Sequence, residues 1–293
     1  MSNFRNIERV LSPVPANWVG NGFRVHNFFP SGYRVHRMMS PFYLMDYNAK
    51  IEFSPSDSPR GVDVHPHKGF ETVTIAYHGK IAHKESAGTS GIIGKGGVQW
   101  MTAGSGLLHK EFHEEGFQKK GGFFQMVQLW VNLPAKYKSV PPRYQDIRHE
   151  DKGRVLLDNG GGDCFVIAGE FNGVKGPAKT YSPIRMLDIH LNAGGSIEIS
   201  SNPGHNAGLL VVEGEVNIQG SEKVSVDHFV LFRPGDENGF ISIEALQDSV
   251  VLYLEGEPIN EPIAQYGPFL MNTREELEEA FREFQTGKYG HLE

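Results

Sequence analysis

The side chains best suited to chemistry in this chain form two closely spaced pairs, His65 with His67 and His109 with Glu111. Residues two apart on an extended strand point to the same face, so each pair is expected to aim its side chains in one direction. Three imidazoles and one carboxylate that converge from two strands form a half-open coordination shell. The pattern therefore predicts a site for a divalent transition metal.

Strand-forming segments surround both pairs. Residues 70–77 (FETVTIAY) and 107–112 (LLHKEF) predict strands, and residues 123–133 (FFQMVQLWVNL) form a long, strongly β-forming run. If no bulge intervenes at Gly69, His65 and His67 point into the same interior as Val73 and Ile75. His113 continues the alternation of His109 and Glu111, which places a further polar group near the predicted site.

Composition sets the class of protein. The 293 residues are 39% hydrophobic and 22% charged, and 35 glycines with 17 prolines favour many short strands joined by turns. A net charge of −7 without a basic block argues against direct nucleic-acid binding. Cys164 is the single cysteine, which excludes an intrachain disulfide and a thiolate metal cluster. The first residues have no apolar signal core and the sequence has no 18-residue apolar run, so we expect a cytoplasmic protein without membrane contact.

The second half of the chain repeats the pattern of the first. Residues 209–218 (LLVVEGEVNI) match residues 75–81 as strand, glycine turn and strand, with Gly214 in the role of Gly79. This alignment puts Ser200 and Asn202 where the first half has His65 and His67. The second copy therefore keeps the turns and lacks the ligands, and residues 134–144 are the best linker candidate.

The C-terminal tail predicts one amphipathic helix over residues 273–286, packed on a barrel. Its start combines an N-cap at Thr273 with a capping-box Glu276, and Gly287 lies where it would end. Its apolar stripe is Leu277, Phe281 and Phe284. We expect domains at 1–135 (metal-binding), 136–260 (without metal) and 261–293 (extension with helix).

Four segments, HPHKGFETVT, VQWMTAGSGLLHKEF, QLWVNLP and YGPFLMNT, are similar to signature segments of the pirin family in the cupin superfamily. The resemblance implies an all-β fold of two jelly-roll-like cupin barrels face to face, with metal only in the N-terminal one. It places the metal ligands on His65, His67, His109 and Glu111. Gly104 departs from a proline of the general cupin pattern. Glu71 fills that pattern's glutamate position, whereas the pirin pattern uses Glu111.

The resemblance implies a flavonol 2,4-dioxygenase (quercetinase) that uses O2 and releases CO. The donor set is similar to the open sites of non-haem Fe(II) oxygenases, so Fe(II) is the expected metal, with Zn, Mn, Ni, Co or Cu as alternatives. Glu111 would be the catalytic base as well as a ligand. Phe70, Met101 and Phe124 are candidate walls for a flat aromatic substrate, although the composition of VQWMT favours Trp100 and Met101 as core.

Two other functions remain open at this stage. One is an iron-dependent, redox-sensing regulatory module that acts through a protein partner, either as a transcription co-regulator or as a modulator of a metabolic enzyme. The third is a cupin enzyme for another phenolic substrate. We expect a monomer. The other histidines lack a partner at ligand spacing and are interpreted as ordinary: His26, His36, His78, His83, His149, His190, His205, His228 and His291.

Overall fold

The computed structural model describes residues 4–235 and 239–293, and most of its elements are antiparallel strands. The strands are β1 (Ile7–Leu11), β2 (Asn17–Val19), β3 (Phe23–Phe29), β4 (Phe42–Phe53), β5 (Gly61–His67), β6 (Phe70–His78), β7 (Ile81–Glu85), β8 (Ser90–Ile93), β9 (Val98–Thr102), β10 (Leu107–His113), β11 (Gly122–Asn132), β12 (Arg143–Ile147), β13 (Gly153–Leu157), β14 (Gly162–Ala168), β15 (Glu170–Phe171), β16 (Val174–Lys175), β17 (Ile184–Leu191), β18 (Ser196–Ser201), β19 (Asn206–Glu213), β20 (Glu215–Ile218), β21 (Glu222–Ser225), β22 (Phe229–Phe232), β23 (Gly239–Ala245), β24 (Ser249–Gly256), β25 (Ala264–Tyr266) and β26 (Phe269–Met271). The helices are α1 (Glu115–Lys120) and α2 (Arg274–Gln285), with short 3-10 turns at Val35–Arg37, Ala135–Tyr137, His149–Asp151 and Asp158–Gly160.

The chain divides into two compact units, each built from segments that are discontinuous in sequence. The N unit contains Pro15–Phe29, Phe42–His149 and Ile259–Glu293. The C unit contains the described residues of Met1–Val14, Pro30–Pro41 and Glu150–Pro258. Continuous boundaries at 135 and 260 differ from this division. Strand β1, at the start of the chain, lies in the C unit, and helix α2, at its end, lies in the N unit.

The two units repeat one strand order, as the internal repeat of the sequence predicts. The N unit has a four-stranded sheet, β5-β10-β7-β8, and a seven-stranded sheet, β12-β9-β6-β11-β4-β3-β2. The C unit has the matching sheets β18-β23-β20-β21 and β1-β22-β19-β24-β17-β14-β13. Each large sheet ends in an edge strand, β12 or β1, that is recruited from a segment outside the repeat. This is the two-cupin fold predicted from the sequence.

The interior of the C unit is apolar at the strands that correspond to those carrying the histidines. Ile197 and Ile199 of β18 are buried in one core with Ile241 and Ile243 of β23. Ser200 and Asn202, the positions aligned with His65 and His67, are exposed. Among residues 4–235 and 239–293, both clusters of side chains with metal-ligand geometry lie in the N unit.

Residues 134–144, predicted as a linker, are instead integrated into the N unit. Lys138 is buried, and its Nζ donates hydrogen bonds to Gly69 O (2.9 Å), Asn132 Oδ1 (2.8 Å) and Leu270 O (2.8 Å). The same segment continues into β12, which pairs with β9. Because these bonds satisfy a buried ammonium with three acceptors, the segment is held by the fold rather than left as a spacer.

The C-terminal helix forms as predicted. Thr273 and Glu276 make a reciprocal capping box, and Gly287 follows the helix with φ +76°. Leu277 and Phe281 of the apolar stripe pack in a cluster with Leu108 of β10, Phe269 and Tyr289, whereas Phe284 is exposed. Helix α2 belongs to the N unit. In the part of the chain that the structure describes, no helix is long and apolar enough to cross a membrane.

Candidate metal centre

Two neighbouring strands of the four-stranded sheet bring the predicted ligands together. Antiparallel pairing of β5 with β10 places His65 directly opposite His109, and a register shift follows before Glu111. On its other side β10 pairs with β7, where Glu111 lies opposite His83. The ring nitrogens offered by His65, His67 and His109 all lie within 4.8 Å of one another. This spacing is compatible with three imidazoles around one ion.

Backbone carbonyls set the tautomers of two of these histidines. His65 Nδ1 lies 2.8 Å from Asp63 O, and His67 Nδ1 lies 3.3 Å from Pro268 O. A carbonyl oxygen only accepts, so each Nδ1 carries the proton and each Nε2 keeps its lone pair. Metal-ligating histidines have this arrangement, in which an outer acceptor orients the ring. Burial lowers the pKa of both imidazoles, which favours the neutral form that ligates.

His109 is the clearest test of whether the residues fit a metal. Its side chain is fully buried, and neither ring nitrogen has a hydrogen-bond partner among residues 4–235 and 239–293. Burial, with nearby His67 and His65, holds its pKa well below the ordinary range, so the ring is neutral. A buried imidazole without partners is costly unless a nitrogen has a ligand. The donor set and the orphaned ring therefore fit a divalent metal.

Glu111 is held by two amides. Gln99 Nε2 donates to Oε1 at 3.2 Å, and Gln128 Nε2 donates to Oε2 at 3.0 Å. Burial raises the pKa of Glu111, and these hydrogen bonds oppose that rise. Glu111 groups with His83 and His109 in a second cluster whose ligand atoms are also within 4.8 Å. His109 thus belongs to both clusters and joins Glu111 to the other histidines.

His83 lies at this site, so its interpretation as an ordinary histidine is wrong. It is 3% exposed, its ring centre is 5.4 Å from that of His109, and its ring stacks on Tyr144 at 5.3 Å. Burial lowers its pKa to about 4. A lone histidine on a short strand has no partner at ligand spacing in the sequence. His83 could have been identified only from the pairing of β7 with β10, and the spacing of residues along the sequence does not reveal that pairing.

His113, by contrast, does not add a polar group to the site. It is enclosed by phenylalanines, with Phe124 stacked at 4.4 Å and Phe53 edge-on at 4.7 Å. Its Nε2 lies 2.9 Å from Gly22 O, and burial lowers its pKa to about 4. The alternation along β10 is as predicted, and His113 points to the same face as Glu111. It lies two residues further along the strand, however, and there it is in the aromatic core of the barrel.

The inner face of β6 also differs from the prediction. Gly69, with φ +87°, separates β5 from β6, so alternation does not continue across it. Thr74 lies opposite Gln99 and Gln128, the two residues that reach Glu111. The histidines therefore share their interior with Thr74, and Val73 and Ile75 point to the other face of the sheet.

Aromatic side chains border the site on one side. The Phe70 ring stacks on that of Trp130 at 4.2 Å, and Trp130 lies 5.3 Å from the ring of His67. Trp130 is partly exposed, whereas Met101 and Phe124 are fully buried in separate core clusters. Trp130 is thus the candidate wall, and Phe70, on which it stacks, is a fully buried core residue like Met101 and Phe124.

Beside this aromatic border, Asp46 and Gln128 face each other across β4 and β11 and form a polar pair, which we term the polar rung. Asp46 of β4 lies opposite Gln128 and is partly exposed, and Asn27 Nδ2 donates to its carboxylate at 2.7 Å. Burial raises the pKa of Asp46 to about 6, against that hydrogen bond. Leu44, two residues before Asp46 on the same face of β4, lies opposite Trp130 and is also partly exposed. Solvent therefore reaches the site side of the sheet along β4 and β11.

Comparisons with known proteins agree with this architecture. The family model described as Pirin matches residues 22–131, and that described as Pirin C-terminal cupin domain matches residues 186–290. A Pseudomonas aeruginosa protein whose name provisionally assigns it quercetin 2,3-dioxygenase activity is 44% identical over 273 residues, 93% of this chain and 94% of that protein. Pirin-1 of Arabidopsis thaliana is 37% identical over 257 residues, 87% of this chain and 85% of that protein. The crystal structure of quercetin 2,3-dioxygenase from Acinetobacter baumannii has a TM-score of 0.92 at 42% identity, and the match covers 99% of this chain and 100% of that chain.

Proposed function

Because the chain belongs to the pirin family, we propose that it is a metal-dependent dioxygenase that opens the ring of a flavonol or a related phenol. The observation that carries the proposal is the convergence of the ring nitrogens of His65, His67 and His109 beside Glu111. Similar proteins that are named quercetin 2,3-dioxygenase support the choice of reaction.

His65, His67, His109 and Glu111 would hold the metal, with Fe(II) as the first candidate and Mn, Ni, Co, Cu or Zn as alternatives. When bound, it would supply a Lewis acid that lowers the pKa of the substrate's 3-hydroxyl and a centre for O2 chemistry. Glu111 would accept the proton of that hydroxyl, since each carboxylate oxygen keeps a lone pair beyond the one that accepts from an amide. One flavonol and one O2 give one ring-opened ester and one CO.

Trp130 would position the substrate. Its partly exposed ring lies beside His67 and is backed by the buried ring of Phe70, on which it stacks. Aromatic rings pack favourably on such surfaces, which favours a planar phenol over an aliphatic substrate. The native phenol would then be selected by this border and by the polar rung of Asp46 and Gln128.

The test is aerobic quercetin turnover by protein stripped of metal and reloaded anaerobically with Fe(II). Loss of flavonol absorbance and release of CO would be followed together, with His67→Ala as the control. We expect turnover that disappears in the variant. An absence of turnover with iron demonstrably bound would contradict the dioxygenase proposal for this substrate class.

A regulatory module that acts through a protein partner is the second candidate. One observation favours it: His67 contacts Pro268 O, and the next residue, Lys68, is paired with Glu283 of α2. A change at the metal centre would therefore reach helix α2. Iron bound without turnover, together with a change in α2 on oxidation, would favour this function.

A further inference from the structure

His83 differs from the proposed ligands in how its ring is held. It is buried opposite Glu111, and one of its ring nitrogens lies within 4.8 Å of the ligand atoms of His109 and Glu111. Its Nδ1 is 3.2 Å from Gln99 Nε2, and its Nε2 has no hydrogen-bond partner in the described ranges 4–235 and 239–293. The unpartnered atom is therefore the one that is free to act on a bound ligand.

The orientation of the Gln99 amide determines the tautomer of His83. Gln99 Oε1 accepts from Tyr144 OH at 3.3 Å, and Gln99 Nε2 donates to Glu111 Oε1 at 3.2 Å. The reversed amide would place its oxygen against the Glu111 carboxylate, so the nitrogen must face this side. Its second hydrogen then points to His83 Nδ1. That nitrogen is an acceptor, and the ring proton is on Nε2.

This tautomer is the opposite of that of His65 and His67. Those two rings donate from Nδ1 to a carbonyl and keep a lone pair on Nε2. His83 has its lone pair committed to Gln99 and carries an N–H on the free nitrogen. An N–H cannot ligate a metal, but it can donate to whatever anion the metal holds.

We propose that His83 is a positioning residue whose Nε2–H donates a hydrogen bond to an anionic oxygen or nitrogen ligand at the metal centre. The expected ligand class is a deprotonated phenol or a small anion. Charge-assisted donors in a buried site orient an anion strongly, because water does not compete for it. This inference rests on the proposed metal centre, but it does not depend on quercetin being the substrate.

Azide binding to Co(II)-loaded protein tests the proposal without turnover, through the visible absorption of the metal. His83→Leu removes the donor, and His83→Gln keeps an amide N–H near the position of Nε2. We expect one Co(II) per chain in all three proteins and an azide Kd at least about tenfold higher in His83→Leu. In His83→Gln the Kd should return to within about threefold of wild type.

Several results would overturn the proposal. Loss of Co(II) in both His83 variants would show that His83 is a ligand. An unchanged azide Kd in His83→Leu, or no azide binding to the wild-type Co(II) protein, would show that no donor acts there. If the wild-type protein bound no metal, the proposed function would fail together with this inference. Failure of quercetin turnover alone would leave the azide result standing.

A second measurement avoids substitution in the protein under test. Histidine labelled with ¹⁵N in the Zn(II)-loaded wild type separates the tautomers by long-range proton–nitrogen correlation. For His83 we expect a neutral ring with a protonated Nε2 and an unprotonated Nδ1, and its signals are assigned by their disappearance in His83→Gln. A protonated Nδ1 on His83 would overturn the proposal.

Discussion

Lys68 and Glu283 form a buried ion pair that connects the residue after His67 to helix α2. The same carboxylate pairs with Lys288, and the hydroxyl of Tyr289 lies 3.4 Å from it. The peptide of Lys68 also accepts a hydrogen bond from Leu270 N at 3.1 Å. The end of β5 that carries His67 is therefore fixed by the C-terminal extension.

The first prediction concerns this pair. Glu283→Gln should lower the free energy of unfolding by about 3 kcal/mol, because it leaves a buried ammonium without its carboxylate. Glu278→Gln is the matched control on the same helix, since Glu278 pairs with Arg274 on the exposed face and should contribute less than about 1 kcal/mol. Urea denaturation at pH 7 measures both. Equal effects of the two substitutions would show that the buried pair does not stabilise the fold.

The second prediction separates the two roles proposed for Glu111. Glu111→Gln keeps an oxygen that can ligate and loses the base, so kcat for quercetin should fall by at least about 100-fold. Metal content, measured on the same samples, should fall much less. Gln128→Leu provides the comparison, because it removes one hydrogen bond to Glu111 and leaves the carboxylate in place. Near-normal turnover by Glu111→Gln would rule out the base role.

The third prediction concerns the aromatic border. Trp130→Ala removes the ring that stacks on Phe70 beside His67. It should raise KM for quercetin about tenfold, with metal content unchanged, because the substrate loses a flat contact surface. Trp18→Ala, on the exposed strand β2, is the control and should leave KM as it is. A Trp130→Ala enzyme with wild-type KM would place the substrate elsewhere.

Sequence spacing predicted the parts of the site that lie close together in the chain. The alternation of His65 with His67 and of His109 with Glu111 depends only on strand geometry, and the structure brings all four into one region. His83 was missed because its position depends on the pairing of β7 with β10. Such pairing joins residues 28 positions apart and leaves no local pattern.

The errors in the predicted surroundings have the same origin. Alternation fails at Gly69, where a positive φ ends one strand and the next begins in the other sheet, so Val73 was assigned to the wrong face. Lys138 lies in a segment whose composition predicts a linker. Its ammonium nevertheless donates to three acceptors elsewhere in the N unit, so the residue is a buried part of that unit. The segments that resemble pirins predicted the family and the fold. They did not contain these tertiary contacts.

The last prediction is a pH dependence. Burial raises the pKa of Glu71 from its ordinary 4.5 to about 7, against a 2.7 Å hydrogen bond from Thr102 and the charge of Arg143 at 3.9 Å. Between these two pKa values the folded state holds a proton that the unfolded chain has released. The free energy of unfolding must therefore fall as the pH rises from about 4.5 to 7, by up to about 3 kcal/mol.

Glu71→Gln isolates this contribution, because the amide oxygen can still accept from Thr102 and the side chain has no proton to lose. Urea denaturation of both proteins at pH 5 and at pH 8 should show wild type losing more stability than the variant. The variant should therefore be relatively more stable at pH 8. Glu52→Gln, at an exposed position on β4, should follow wild type at both pH values. Parallel behaviour of wild type and Glu71→Gln would mean that Glu71 is already ionised in the fold at pH 5, held so by Arg143 and Thr102.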